Sequence, residues 1–152
     1  MKNIQITQVS KKSIPETIQL IEEGYKVNYK EGSPESKPYF SETYTEDVEL
    51  GKIRLFVAKL SGDIVGSVQY EDREDTAYLS QMTVDPNYRK KGIGADLLQT
   101  AEVSAKSEGF EKMQLTAMVE KGLPSYYKKL GYVEVGIKER PKYTLIIMEK
   151  NL

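Results

Sequence analysis

The sequence predicts an α/β fold: a mixed central sheet of about seven strands with helices on both faces. Three observations predict it. Runs with strand periodicity and runs with helix periodicity interleave in the order β α α β β β α β α β β. A long helical segment lies between two strands, which implies at least one parallel crossover with its helix laid over the sheet. The chain has 152 residues, room for one core, and is expected to form a single domain over residues 1–152.

Each element has its own signal. Ile4-Gln5-Ile6-Thr7-Gln8-Val9 alternates apolar and polar residues and reads as a strand with one buried face. Ser13-Ile14-Pro15-Glu16 has the spacing of a capping box, with Ser13 as the cap. Ile14, Ile18, Ile21 and Tyr25 then mark one face of a helix. Residues 30–41 contain Gly32, Pro34 and Pro38 and read as a loop. Residues 42–50 suit a second short helix ended by Gly51. Two β-rich runs, 54–60 and 64–70, flank Ser61-Gly62-Asp63 and make a hairpin. A charged turn over 72–75 leads to a strand over 77–84, which Asp85-Pro86 stops. After Gly92 a longer helix runs to about Ser107, with Ile93, Leu97, Ala101 and Ala105 four apart and Leu98 beside them; Gly109 ends it. A strand over 113–119, a short helix over 124–130 closed by Gly131, and two strands over 132–137 and 143–149 complete the chain.

Composition excludes much chemistry. Lys plus Arg is 22 and Asp plus Glu is 23, a net charge of -1, so the basic excess of a nucleic-acid binder is missing and any anion site is local. The chain has no Cys and no His. Disulfides, thiolate nucleophiles, Ser-His-Asp triads and imidazole- or thiolate-held zinc are therefore excluded. No acidic cluster has the spacing of a calcium loop, and no metal is expected. The N-terminus lacks an apolar run of signal-peptide length, and no segment approaches the roughly 20 apolar residues of a membrane span. A cytoplasmic protein with no membrane partner is expected.

The sharpest local signal is Val84-Asp85-Pro86-Asn87-Tyr88-Arg89-Lys90-Lys91-Gly92-Ile93-Gly94. A strand ends, three consecutive cations follow, and two glycines open a helix. A helix N-terminus offers free backbone N–H groups and the positive end of the dipole. Side chains are missing at Gly92 and Gly94, so a bulky anion has access to the backbone, and Arg89, Lys90 and Lys91 add formal charge. Chemically this is a seat for a pyrophosphate. It is not a P-loop, because Ala95-Asp96 follows Gly94 where Lys-Ser/Thr is required. Nor is it the dinucleotide fingerprint, whose third small residue is replaced by Leu97.

These residues resemble the GNAT superfamily of acyl-CoA-dependent N-acetyltransferases. Its signature, Arg or Gln, two residues, Gly, one residue, Gly or Ala, reads here as Arg89-Lys90-Lys91-Gly92-Ile93-Gly94, with Met82-Thr83-Val84-Asp85-Pro86 before it and Ala95-Asp96-Leu97-Leu98 after it. A second block, Tyr127-Lys128-Lys129-Leu130-Gly131-Tyr132, is similar to the family's last short helix, and Met148-Glu149-Lys150-Asn151-Leu152 to its closing strand. The resemblance runs from about Ile4 to the end, although residues 30–41 match nothing particular. It implies a GNAT-like acyl-CoA N-acyltransferase fold and acetyl-CoA (coenzyme A) as cosubstrate. It also implies that the backbone of Met82, Thr83 and Val84 pairs with the pantetheine arm, where the family's sheet splays. The amides from Arg89 through Lys90, Lys91, Gly92, Ile93 and Gly94 to Ala95 would hold the pyrophosphate.

The implied reaction moves an acetyl group from acetyl-CoA to a primary amine of a small molecule, by direct attack in a ternary complex. An alkyl ammonium has a pKa near 10.4 and is mostly protonated at neutral pH, so the neutral amine must be placed against the thioester. A backbone N–H near residues 82–84 is the implied oxyanion donor. Tyr127 is the candidate general acid: a phenol hydrogen-bonds the sulfur and gives up its proton as thiolate character grows. Tyr126 is adjacent, and a core aromatic is the competing role for either. Two positions depart from the family. An acid often stands eleven residues before the signature, where this chain has Tyr78, and an Asn often stands seven before the Tyr, where this chain has Glu120. No base is assigned; Glu71, Asp72 and Glu74 read as a solvated turn. Tyr25, Tyr29, Tyr39, Phe40 and Tyr44 either line an acceptor pocket by cation–π contact or pack the first helices onto the sheet. The alternative functions are acetylation of a protein N-terminus or lysine, and a non-catalytic acyl-CoA-binding module. A homodimer is compatible with the resemblance, though no stretch demands one.

Overall fold

The computed structural model describes residues 3–28 and 40–152; Tyr29, Tyr39 and residues 30–39 of the expected loop lie outside the described residues. The described elements are β1 (Ile4–Gln8), α1 (Ile14–Asn28), α2 (Tyr44–Glu49), β2 (Ile53–Leu60), β3 (Asp63–Arg73), β4 (Thr76–Val84), α3 (Ile93–Ser107), β5 (Lys112–Met118), α4 (Leu123–Lys129), β6 (Val133–Glu139) and β7 (Thr144–Asn151). Among the described residues the strands form one seven-stranded sheet in the order β1-β2-β3-β4-β5-β7-β6. The pair β4/β5 is parallel, joined through α3, while β1/β2, β2/β3, β5/β7 and β6/β7 are antiparallel. The expected element order, the mixed sheet and the crossover are all present. Two compact units divide the chain: Met1–Glu71 with Gln81–Ala101, and Asp72–Ser80 with Glu102–Leu152.

In the first unit, β2 and β3 are covered on both faces. Leu55 to Ala58 are all buried, as are Ile64 to Tyr70, a run that leaves neither side of either strand to water. The antiparallel register sorts the two faces. Leu55 lies opposite Gln69 and Val57 opposite Ser67 on one; Phe56 lies opposite Val68 and Ala58 opposite Gly66 on the other. The helices α1 and α2 cover the Leu55 face, where Ile14, Tyr44, Val48, Ile53 and Leu55 form a cluster with Val9, Ile18 and Phe40 against it. Helix α3 covers the Gly66 face: a Cβ on Gly66 would lie 3.0 Å from Leu97 Cδ1 and 3.3 Å from Ile93 Cγ2. The β2–β3 turn has positive φ at both Ser61 (51°) and Gly62 (86°), the twist that two-residue hairpins favour.

Two expectations for α1 are corrected. Ser13 does not cap it: a 3-10 turn over Lys11–Ser13 leads into the helix, and the Ser13 hydroxyl accepts a hydrogen bond from Ser10 Oγ at 3.1 Å. The buried face is centred on Ile14, Thr17, Ile21 and Gly24, with Ile18 and Tyr25 only half-buried at its margin. Thr17 tolerates full burial because its hydroxyl donates to the Ser13 carbonyl at 2.8 Å.

In the second unit, β5 alternates buried Met113, Leu115 and Ala117 with half-buried Lys112, Gln114, Thr116 and Met118, a period of two with one covered face. The β3–β4 turn is tighter than expected. Strand β3 continues through Asp72 and Arg73, and Glu74 (φ 51°) and Asp75 (φ 65°) alone make the corner, with Asp75 N donating to Asp72 Oδ1 at 2.9 Å. Among the described residues no helix is long and apolar enough to cross a membrane, and no group of three or more acidic side chains is gathered to hold a metal ion.

Candidate functional site

Ten residues expected to hold a cofactor form one strand–turn–helix passage within the first unit. Met82, Thr83 and Val84 end β4, after a left-handed residue within the strand, Gln81 (φ 55°). The Thr83 side chain faces α1: a Cβ on Gly24 would lie 2.7 Å from Thr83 Cγ2, so only glycine lets the helix come this close. Asp85 N donates to Val65 O at 2.8 Å, and the Asp85 carboxylate accepts from Asn87 N at 2.9 Å, which turns the chain away from the sheet. Arg89 reaches back with Nε 3.4 Å from Val84 O.

The turn itself holds two left-handed residues, Lys90 (φ 61°) and Gly92 (φ 80°). Left-handed backbone costs a residue with a Cβ about 1–2 kcal/mol, so Lys90 holds its shape against a local preference, as residues in ligand loops often do. Gly92 has open space on the side where a Cβ would project. The first helical bond of α3 runs from Asp96 N to Gly92 O at 3.0 Å. By helix geometry the amides of Ile93, Gly94 and Ala95 precede it and lack an intrahelical acceptor. Arg89, Lys90, Lys91 and Gly92 are exposed, Gly94 and Ala95 half-buried, and Ile93 buried. Ile93 and Leu97 anchor the helix start on Gly66, and the three cations before it are exposed. Amides without intrahelical acceptors beside exposed cations are the chemistry expected to suit a diphosphate.

Two residues that position this passage escaped sequence reading. Gly66 and Gly24 admit α3 and α1 to the sheet, and a glycine inside a strand or a helix is the available signal for such close approach.

The second unit holds Tyr127. Helix α4 turns Tyr127 inward, 6% exposed, and Tyr126 outward, 40% exposed. The Tyr127 ring meets those of Tyr126 at 5.2 Å and Tyr132 at 5.8 Å, both edge-to-face. Burial raises the pKa of Tyr126 above its ordinary value. Tyr78, in the position where the family often has an acid, lies under the Arg73 guanidinium, 3.8 Å from the ring centroid. Tyr78 pairs with Gln114 in the β4/β5 ladder, and with Arg73, Glu74 and Thr76 these residues line a polar pocket of about 460 Å³. Asp72 and Glu74 are exposed, as a solvated turn requires. Glu120 has structural work: its Oε1 accepts from Thr144 N at 2.9 Å and fixes the start of β7.

The aromatics expected either to line an acceptor pocket or to pack the first helices onto the sheet differ among themselves. Tyr44 is core, its hydroxyl donating to Gln69 Oε1 at 2.6 Å and its ring edge-to-face with Phe40 at 4.8 Å. Tyr25 is half-buried.

Comparison with known proteins adds to this geometry. The model of the "Acetyltransferase (GNAT) family" matches residues 16–132. Probable N-acetyltransferase 14 of Xenopus tropicalis is 34% identical over 101 residues, 64% of this chain and 49% of the relative. An uncharacterised N-acetyltransferase of Methanocaldococcus jannaschii is 33% identical over 88 residues, 53% of this chain and 39% of the relative. The chain thus spans about half or less of the length of these curated relatives. In fold it is similar to the PaiA N-acetyltransferase from Thermoplasma acidophilum, solved in complex with coenzyme A, with a TM-score of 0.76 at 23% identity over 99% of both chains. The seven-stranded sheet and a family match over most of the chain agree: the chain belongs to the GNAT acetyltransferase family.

Proposed function

We propose that this chain transfers an acetyl group from acetyl-CoA to a primary amine of a small molecule, by direct attack in a ternary complex. The observation that carries the reading is the turn into α3. Left-handed Lys90 and Gly92, open space at Gly92 and three exposed cations frame amides without intrahelical acceptors. Acetyl-CoA supplies an activated acyl group as a thioester. The main chain from Arg89 to Ala95 binds its diphosphate, and the backbone of Met82, Thr83 and Val84 aligns the pantetheine arm and offers an N–H to the carbonyl oxygen. The acceptor nitrogen, once neutral, forms the new C–N bond as the C–S bond breaks. Tyr127 gives its phenolic proton to the departing sulfur, the nitrogen releases one proton to water, and the Tyr127 phenolate takes a proton back from water before the next turnover.

The test is thiol release from acetyl-CoA over a panel of amino acids, polyamines, amino sugars and peptides. A small amine should outperform peptides in kcat/KM. Tyr127→Phe should lower kcat by roughly 10²-fold or more with coenzyme A affinity unchanged. Wild-type turnover in that variant would remove the acid role. Coenzyme A binding without turnover on any amine would mark an acyl-CoA-binding module instead.

A further inference from the structure

Helix α4 has seven residues and lies between two left-handed glycines, Gly122 (φ 68°) and Gly131 (φ 98°). A helix this short has no stability of its own, so its neighbours decide where Tyr127 sits. Among them is Tyr132. Its N–H donates to the Tyr127 carbonyl at 3.1 Å, and its ring meets the Tyr127 ring edge-to-face at 5.8 Å.

Tyr132 is itself tied down. It is 2% exposed, and its hydroxyl donates to Glu102 Oε2 at 2.8 Å. The other oxygen, Oε1, accepts from Lys150 Nζ at 3.1 Å, and this ammonium stands 5.8 Å from the Tyr132 ring centroid. The Lys150 stem fills the space beside Gly131, its Cε 3.1 Å from where a Cβ would lie. One carboxylate therefore joins α3, the corner between α4 and β6, and β7. Packing alone would need only a phenylalanine at position 132, and a buried hydroxyl costs stability unless it is bonded. Burial, and then the bond to Glu102, drive the Tyr132 hydroxyl well above the ordinary tyrosine range. It stays a proton donor to Glu102 and cannot replace Tyr127 as the acid.

We infer that Tyr132, held by Glu102 and Lys150, is a positioning residue that aims the Tyr127 hydroxyl; the inference rests on the proposed acid role of Tyr127. Loss of the Tyr132 hydroxyl frees the ring to rotate and shift, and misplacement of a reacting group by about 1 Å costs on the order of 10²-fold in rate. A partial slip is expected here, because the ring itself remains.

The experiment is a kinetic cycle on the full chain, with acetyl-CoA and the best amine from the panel, using Tyr132→Phe, Tyr127→Phe and the double variant. Thermal melts confirm that each is folded at the assay temperature. Tyr132→Phe should lower kcat about tenfold while KM for acetyl-CoA stays within about twofold. In the Tyr127→Phe background the same change should have no further effect on kcat. Glu102→Gln keeps an oxygen to accept from Tyr132 and should retain most of kcat, whereas Glu102→Ala should match Tyr132→Phe. This second pair reads the same coupling should Tyr132→Phe fail to fold. Wild-type kcat in Tyr132→Phe would overturn the inference. So would a kcat loss that persists in the Tyr127→Phe background, since a purely structural role predicts it. Unchanged turnover in Tyr127→Phe itself would instead remove the acid reading, and the inference with it, a pattern distinct from the other two.

Discussion

Replacing Gly92 by alanine separates folding from binding at the proposed cradle. Gly92 has φ 80°, and nothing lies within 4 Å of the position a Cβ would occupy. The new methyl meets no protein atom, so its folding cost is the left-handed backbone alone, about 1–2 kcal/mol. For a chain of this size that lowers Tm by roughly 2–8 °C. The same open space is where the proposed diphosphate approaches the amides. A methyl group there holds phosphate oxygens off the backbone. Losing two charge-assisted hydrogen bonds at about 1.5–3 kcal/mol each weakens coenzyme A binding by about 3–6 kcal/mol, a hundredfold or more in Kd. Gly109→Ala is the control: φ 97° and equally open space, but at the C-terminal end of α3. Both variants should melt alike, and isothermal titration calorimetry with coenzyme A should find tight binding only in Gly109→Ala. If Gly92→Ala binds within twofold of that control, the amides of this turn do not hold the diphosphate.

Gly24→Ala should lower Tm despite a gain of about 1 kcal/mol in helix propensity. The Cβ would press within 2.7 Å of Thr83 Cγ2, an overpacking that costs about 1–3 kcal/mol. Adding Thr83→Ser removes that methyl and should recover most of the loss; a more stable Gly24→Ala single variant would refute the close approach. Tyr44→Phe strands the buried Gln69 Oε1 and should cost about 1–2 kcal/mol in urea melts. Desolvation raises the pKa of Tyr44, as it does that of Tyr132. The unfolded chain therefore releases these protons first, near pH 10, while the folded chain holds them. Their contribution is complete below pH 10 and is lost as pH rises above it, so the urea midpoint should fall through the alkaline range. That fall should be shallower in Tyr44→Phe; identical slopes would refute the assignment.

Where one element's own pattern decides its burial, sequence and structure agree. The face of α3 formed by Ile93, Leu97, Ala101 and Ala105 is wholly buried, because an aliphatic stripe at helical spacing has one way to leave water. The order of strands and helices follows from the same local reading. On α1 the reading drifts by part of a turn. Ile18 and Tyr25 carry the apolar signal, yet Thr17 and Gly24 take the centre of the buried face. A partner decides this: Gly24 is buried because Thr83 comes within reach of it, and Thr17 because Ser13 offers a carbonyl. Neither partner is visible in the periodicity of α1. The expected cap at Ser13 is replaced by a 3-10 turn over Lys11–Ser13 that runs into the helix.

The same division runs through the candidate site. Its proposed phosphate-binding half is read by main chain, and main-chain shape is written locally, in two glycines, a helix start and three cations within six positions. Its chemical half is read by side chains whose surroundings come from far along the chain. Tyr132 lies 30 positions from Glu102, and Glu102 lies 48 from Lys150. Glu120 bonds a backbone amide 24 positions away, so its carboxylate, set where the resemblance expects a cofactor-contacting Asn, already has a partner in β7. Tyr78, set where an acid is expected, lies beneath a guanidinium, a surrounding that opposes a cationic group drawing near. On the proposed mechanism, a chain that keeps the cradle while replacing the acid leaves the amine to lose its proton to solvent. Its kcat/KM should then rise with pH toward the acceptor's own pKa, with no limb near the carboxylate range.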